Sequence, residues 1–290
     1  MGDKHGMLYC YANLGILERI KGNPEAALEL HQQQLELARQ LGEKVVIAGA
    51  QHYLALDLLE LGRFEECEAS FQEAVKLQRQ INVQRDLQSC LRDFGAFYQQ
   101  IGRPDRALEV LGEAIKLARR AGNPQHLGLA LGHHALALAQ LGRYAEARSD
   151  FGEIDQLLEQ HKLGKEQLNW LLEWSDFELE QKNVDEARRL HQRAAAILDE
   201  LDDPGAQTYE ERLLHARLTA LEDKEKAAAL CRDILENCDD EEPAAEAAFR
   251  LQEFTGDAAD RAEARRRYQA LHRRRPLALF SRRLESLDNA

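Results

Sequence analysis

Leu14-Gly15-Ile16-Leu17-Glu18-Arg19-Ile20-Lys21-Gly22-Asn23-Pro24-Glu25-Ala26-Ala27-Leu28 sets a pattern that returns every forty residues. The glycine recurs as Gly62, Gly102 and Gly142. At the next two steps Lys182 and Glu222 replace it while the surroundings persist. Five residues after each turn stands a small residue: Ala27, Cys67, Ala107, Ala147, Ala187 and Ala227. A second small column, Gly15, Ala55, Gly95, Ala135 and Ser175, precedes the turns. A fixed period of this length over six copies marks a stacked repeat array, in which each unit packs only on its neighbours.

The first copy shows how a unit is built. Leu8, Tyr11, Leu14 and Gly15 follow helical spacing, and Gly22 stops that helix because glycine enters the left-handed region without a Cβ clash. Asn23 is placed as an N-cap and Pro24 at the first helical position. A second helix runs from about Pro24 to Leu41, where Gly42 ends it. Two helices of about 17 residues and two tight turns make up the forty. The aromatic slot four residues beyond Ala27 holds His31, Phe71, Phe151 and His191, and is expected to fill space against the next unit. Turns between units are expected at Ala121-Gly122-Asn123-Pro124 and at Asp202-Asp203-Pro204.

The reading is therefore all-α, an α-solenoid of about seven antiparallel helix pairs. The units cover about 6–42, 46–82, 86–122, 126–162, 166–201, 205–239 and 242–275, with a capping segment at 276–290. The sixth unit is weaker, turning at Leu221-Glu222-Asp223 without glycine. The seventh turns at Thr255-Gly256-Asp257, and Leu277 to Leu287 form a last amphipathic segment after Pro276. The first repeat begins without a polar cap, so the chain is expected to be part of a longer protein.

Bulk composition agrees. Of 290 residues 44% are hydrophobic and 31% charged, which suits long helices with solvated outer faces. No stretch approaches the ~18 uncharged residues of a membrane span, and the N-terminus has no signal-peptide pattern. Five cysteines, with Cys67 in the small-residue column and Cys231 and Cys238 too far apart to bridge within one helix, argue for a reduced, cytoplasmic protein. The net charge is −13, with nine arginines and one glutamate from Arg261 to Arg283, so the rest of the chain is more acidic still and disfavours nucleic acid. The arginines of Arg265-Arg266-Arg267 and Arg273-Arg274-Arg275 either neutralise Asp239-Asp240-Glu241-Glu242 or meet an acidic partner or nucleic acid.

Asn13-Leu14-Gly15, Gly22-Asn23-Pro24-Glu25-Ala26-Ala27-Leu28 and Leu37-Ala38-Arg39-Gln40-Leu41-Gly42 resemble tetratricopeptide repeats. The match is to the forty-residue variety of kinesin light chains, polarity adaptors and bacterial signalling proteins. The resemblance implies a right-handed superhelix whose first helices line a concave groove for an extended peptide or partner helix. Polarity adaptors grip peptide backbone with a ladder of asparagines. Asn13 matches one rung, whereas Tyr53, Asp93, His133 and Glu173 stand at the others, so the ladder is broken.

Mapped on that groove, the candidate partner-binding residues are Tyr9, Asn13, Arg19, His52, Tyr53, Arg92, Gln99, His133, Asn169, Glu173, Tyr209 and Arg212. Ile16, Leu56, Asp93 and Asp176 lie among them. Such a lining hydrogen-bonds a peptide main chain and offers shallow apolar pockets; it also suits a merely solvated helix face. Adjacent His133 and His134 point to different helix faces and do not share a metal readily. Trp170 and Trp174 read as core packing or as an exposed anchor. With no phosphate loop, nucleophile elbow or metal motif, no catalytic residue, metal or cofactor is expected. The leading function is a non-enzymatic scaffold for a protein or peptide partner. The alternative is a sensor arm of a larger signalling ATPase or effector, contacting neighbouring domains of a longer chain.

Overall fold

A computed structural model describes residues 3–200 and 208–289 of the chain, which form fifteen helices and no strand. The expected turn at Asp202-Asp203-Pro204, and with it the junction of the fifth and sixth repeats, lies outside the described residues. Two compact units divide the chain, Met1–Ala137 and Leu138–Ala290.

The first unit holds α1 (Lys4–Ile20), α2 (Pro24–Leu41), α3 (Lys44–Glu60), α4 (Phe64–Ile81), α5 (Gln84–Gln100) and α6 (Pro104–Ala121), with the division falling inside α7 (Pro124–Gln140). Each of α1 to α5 packs on the helix that follows it, and α1, α3 and α5 also touch in sequence. Short turns make consecutive helices antiparallel. The result is two layers, with the first helix of every pair in one wall. The second unit repeats the scheme with α8 (Tyr144–Gln160), α9 (Gly164–Glu180), α10 (Val184–Glu200), α11 (Tyr209–Thr219), α12 (Lys224–Asn237), α13 (Glu241–Thr255), α14 (Ala258–Arg274) and α15 (Ala278–Asn289). There α9, α11 and α13 touch in sequence.

The turn column behaves as its spacing implies. Gly22, Gly62, Gly102 and Gly142 take φ of 80, 69, 76 and 73°, and Lys182 keeps the same left-handed turn at 62° without glycine's freedom. Each turn is closed by a 6→1 bond, such as Arg103 N–H to the Tyr98 carbonyl at 2.8 Å and Asn183 N–H to the Glu178 carbonyl at 2.9 Å. A second left-handed series sits between pairs at Gly42, Asn82, Gly122 and Lys162, again forty apart. At the glycine-free sixth turn, Glu222 and Asp223 N–H both reach the Thr219 carbonyl, and the Asp223 side chain caps α12 by accepting from Lys226 N–H at 2.9 Å. One local expectation fails. Asn23 precedes α2, but its side chain caps nothing; its amide donates to Glu18 at 2.8 Å, a charge-assisted bond that outcompetes the cap.

The column of Ala27, Cys67, Ala107, Ala147, Ala187 and Ala227 is wholly buried. The second small column faces the ring slot of its own unit. A Cβ on Gly15 would lie 2.4 Å from His31, and one on Gly95 2.4 Å from Leu111. Ser175 donates instead to the Ala187 carbonyl at 2.7 Å. The slot in turn reaches the next pair: His31 stacks on Tyr53 at 5.0 Å, Phe71 on Phe94 at 5.1 Å, Phe151 on Trp174 at 5.9 Å and His191 on His215 at 5.7 Å. These stacks, each adding ~0.5–1.5 kcal/mol to area burial where both rings are aromatic and packed, link one pair to the next. Trp174 is thus a packing residue, with its indole N–H on Glu178 at 3.1 Å.

At the C-terminal end several of the arginines are matched by carboxylates. Arg274 pairs with Glu241, Arg275 with Glu242, Arg265 with Asp288, and Arg266 and Arg267 both with Glu263. α15 packs on α14 through Phe280, whose ring lies 5.9 Å from that of Tyr268. Among the described residues no helix is long and apolar enough to cross a membrane.

Candidate functional site

The wall formed by α1, α3 and α5 contains a recess of about 590 Å³. Arg19 from α1 borders it, as do Gly49, His52, Tyr53, Leu56, Leu59 and Glu60 from α3. The α5 residues Asp86, Ser89, Arg92 and Asp93 complete the wall, and Gln78 enters from α4. Of the twelve expected groove residues, Arg19, His52, Tyr53 and Arg92 converge here, together with Leu56 and Asp93.

The geometry follows from helical spacing. His52, Tyr53 and Leu56 share a face of α3, as Ser89, Arg92 and Asp93 do on α5. Helix contact sets these faces side by side. His52 Nε2 donates to Asp93 Oδ2 at 2.9 Å, and Arg92 Nε donates to Asp93 Oδ1 at 2.8 Å. Burial alone would raise the Asp93 pKa, but the hydrogen bond from His52 and the charge of Arg92 hold it below the usual carboxylate range. Asp93 is therefore an anion clamped from two sides.

Beneath this surface lies a buried polar triad. His31 Nδ1 donates to Asp57 Oδ2 at 2.5 Å, and Arg19 Nη1 stands 3.6 Å from Asp57 Oδ1. His31 and Asp57 are both fully buried. Tyr53 covers the triad by stacking on His31 and lies 5.9 Å from the His52 ring. Arg19 is thus held by a carboxylate below while its position borders the recess above. Removing one member would leave a buried charge unmatched, costing ~3–5 kcal/mol. Through Arg19 and Tyr53 the triad supports two of the residues that border the recess.

The other expected groove residues are not part of this recess. Tyr9 and Asn13 are exposed on α1, and Gln99 is half-buried on α5. His133 is half-buried on α7, where desolvation pushes its pKa down to about 4, so the ring is neutral at pH 7. In the second unit Asn169 and Glu173 are exposed on α9. Desolvation and then the charges of Glu210 and Glu180 push the Glu173 carboxyl up to about 7. Tyr209 and Arg212 have partners within that unit: Tyr209 Oη donates to the Asn237 carbonyl at 3.0 Å, and Arg212 Nη2 to Asp233 at 2.5 Å. Asp176 is paired with Arg217.

Sequence reading missed Gln78, which lies on a second helix rather than a first. It is 1% exposed, and its Oε1 has no hydrogen-bond partner among the described residues. The signal was present in the repeat register, where Ala38, Ala118 and Leu158 hold the same position as Gln78.

Comparison with known proteins bears on this wall. Residues 7–41 match one tetratricopeptide-repeat family profile, and residues 46–115 and 86–154 match another. No curated protein is significantly similar in sequence. Among solved structures, a Rap protein complexed with Competence and Sporulation Factor superposes with a TM-score of 0.69 at 17% identity, over 98% of this chain and 75% of that one. The apo form of the quorum sensor NprR from B. thuringiensis gives 0.71 at 17% identity, over 92% and 76%. A signal transduction ATPase with numerous domains and a tetratricopeptide repeat sensor, from Pyrococcus horikoshii, gives 0.65 at 16% identity, over 97% of this chain but 43% of that one. At these identities the likeness is one of fold.

Proposed function

The chain belongs to the tetratricopeptide-repeat family, and from that premise we propose that it is a non-catalytic docking protein whose α1–α3–α5 wall holds an extended peptide of a protein partner. The observation that carries this reading is the convergence of Arg19, His52, Tyr53 and Arg92 on one recess. Its side chains are fixed by ion pairs and stacking before any ligand arrives. Little side-chain entropy is then lost on binding, where each loosely held long side chain would otherwise cost ~0.5–1.5 kcal/mol. Leu56 and Leu59 supply apolar contact and the clamped polar groups supply direction, the division of labour seen in small-ligand and peptide sites. The Rap protein of similar fold, solved with a bound factor, supports a regulatory binding role of this kind.

The experiment is selection of peptides from a random display library, followed by fluorescence anisotropy with wild type and Leu56→Arg. Leu56 is half-buried on the recess, so an arginine there occupies the space while its head reaches water. At least a tenfold loss of affinity with an unchanged melting curve is expected. Selected peptides that bind the variant as well as wild type would remove the recess from the reading.

A further inference from the structure

Five of the nine large hydrophobic side chains that stand exposed among the described residues lie on α1: Met7, Tyr9, Leu14, Leu17 and Ile20. The other four, Val45, Tyr144, Leu221 and Leu279, are scattered singly, which is ordinary for a protein surface, whereas a cluster marks an interface. Within the cluster Met7, Leu14 and Leu17, with the exposed Cys10 between them, run at alternating steps of three and four residues. That spacing is the seam by which one helix packs along another. It lies on a different face of α1 from Gly15, which abuts His31 of α2, and from Arg19, which borders the recess.

The repeat register says what such a face is for. Ala50, Leu54 and Asp57 in α3, and Leu87, Cys90, Phe94 and Phe97 in α5, occupy the same positions and are buried. There α3 and α5 pack on α2 and α4 of the pair before. On α1 the same positions open to solvent, with Met7 42%, Leu14 48% and Leu17 44% exposed. The stacking interface thus continues onto a surface that is apolar and uncovered.

A second copy of α1 fits that surface. Laid antiparallel about a two-fold axis at position 12, Met7 meets Leu17 of the second copy and the smaller Cys10 meets Leu14. Each contact occurs twice, as an isologous interface requires. At either end Asp3 comes opposite Lys21, so unlike charges meet. Both keep the bonds they already have, Asp3 accepting from Gly6 N–H at 2.9 Å and Lys21 donating to Glu18 at 2.9 Å. Antiparallel helices also set the positive N-terminal end of one against the negative C-terminal end of the other. The terminal helix α15 offers no such seam, since its exposed large apolar side chain is Leu279 alone, with Arg282 and Glu285 exposed on the same helix.

We propose that the chain self-associates through α1, two copies pairing antiparallel along the seam of Met7, Cys10, Leu14 and Leu17. The proposal does not depend on the docking reading, because the recess lies on another face. A helix of 17 residues is about 25 Å long, so the contact is smaller than the ~1,600 Å² of a standard interface and the dimer exchanges with monomer.

Sedimentation velocity on the whole chain tests this. The mass should rise from 33.0 kDa towards twice that value as concentration passes from ~1 to ~100 µM, the range suited to a small interface. Leu14→Glu should weaken dimerisation at least tenfold. Leu14 is half exposed, so this variant should melt as wild type does at dilutions where both are monomeric; should it fail to fold, Leu17→Lys makes the same comparison. Register is read by oxidative crosslinking: Met7→Cys and Leu17→Cys, each in a Cys10→Ala chain, should form a disulfide-linked dimer when mixed and not when either is alone. A wild-type chain that stays monomeric over the whole range would overturn the proposal. A dimer untouched by both Leu14→Glu and Leu17→Lys would remove α1 from it. Growth beyond two copies, or a dimer whose mixed cysteine variants do not crosslink, would overturn the antiparallel two-fold arrangement.

Discussion

Gly95 holds α5 against α6 closely enough that one methyl group decides the sign of a stability change. A Cβ built on Gly95 falls 2.4 Å from Leu111 Cγ and 2.7 Å from Cδ2. Ordinary contact between such carbons is ~3.5–4.0 Å, so Leu111 must retreat by about 1 Å or more. Leu111 is fully buried and has no solvent to retreat into. Overpacking of this kind costs ~1–3 kcal/mol. Replacing a helical glycine by alanine returns ~1 kcal/mol of propensity. Gly95→Ala should therefore destabilise by up to about 2 kcal/mol on these combined figures. Leu111→Ala alone should cost ~2–5 kcal/mol by leaving a cavity. In that background the clash is gone, and Gly95→Ala should stabilise by ~1 kcal/mol. The double-mutant cycle thus predicts a reversal of sign and a coupling of ~1–3 kcal/mol. Gly112 in α6 supplies the control, because a Cβ there meets nothing within 4 Å and Gly112→Ala should simply gain ~1 kcal/mol. Guanidinium denaturation followed by far-UV circular dichroism measures all four. A stabilising Gly95→Ala in the wild-type background would refute the reasoning, since it would mean Leu111 yields freely. The same approach of helices sets the height of Arg92 and Asp93 on α5, so the clash should also weaken binding at the recess.

Other expectations concern the turns and the titrating groups. Lys182 occupies the left-handed region at φ 62°, which costs a non-glycine residue ~1–2 kcal/mol, so Lys182→Gly should raise the denaturation midpoint; a lowered midpoint would show that the side chain contributes more than its backbone strain. Glu173 has its pKa raised from 4.5 to about 7, so its favourable contribution is complete below pH 4.5 and is lost as pH rises through about 7. Glu173→Gln should then stabilise the protein at pH 8 and leave it unchanged at pH 4, and equal effects at both would contradict the desolvation and the repulsion from Glu210 and Glu180 that raise this pKa. Salt screens the part of the shift due to Glu210 and Glu180, so 0.5 M salt should shrink the pH 8 effect without abolishing it.

Much of the fold was legible as columns. The forty-residue spacing of Gly22, the small residues after Ala27 and the ring slot at His31 each record a contact that every copy must make, so repetition amplifies them above the background of a single chain. Four recess residues could be named because first-helix faces follow from the same register. The internal pairings were harder to see, yet they left a trace. His31 is polar in the ring column of Phe71 and Phe151, and Asp57 is polar in the column of Phe97 and Phe177. The structure joins these two exceptions. His191 in the ring column likewise bonds at 3.1 Å to Glu211, which stands where Leu91, Leu131 and Leu171 are apolar. A polar residue in one apolar column calls for another in the adjoining column, because a lone buried charge or ring nitrogen is too costly to keep.

The sequence by itself determined the all-helical repeat, its register and the face each residue joins, because these depend on local periodicity and on contacts between adjacent helices. Only the tertiary structure decided that Asp93 is clamped, that Tyr209 and Arg212 are bonded to Asn237 and Asp233, and that Gln78 borders the recess from a second helix. Those outcomes depend on which side chains meet across layers, and a one-dimensional period carries no record of that distance.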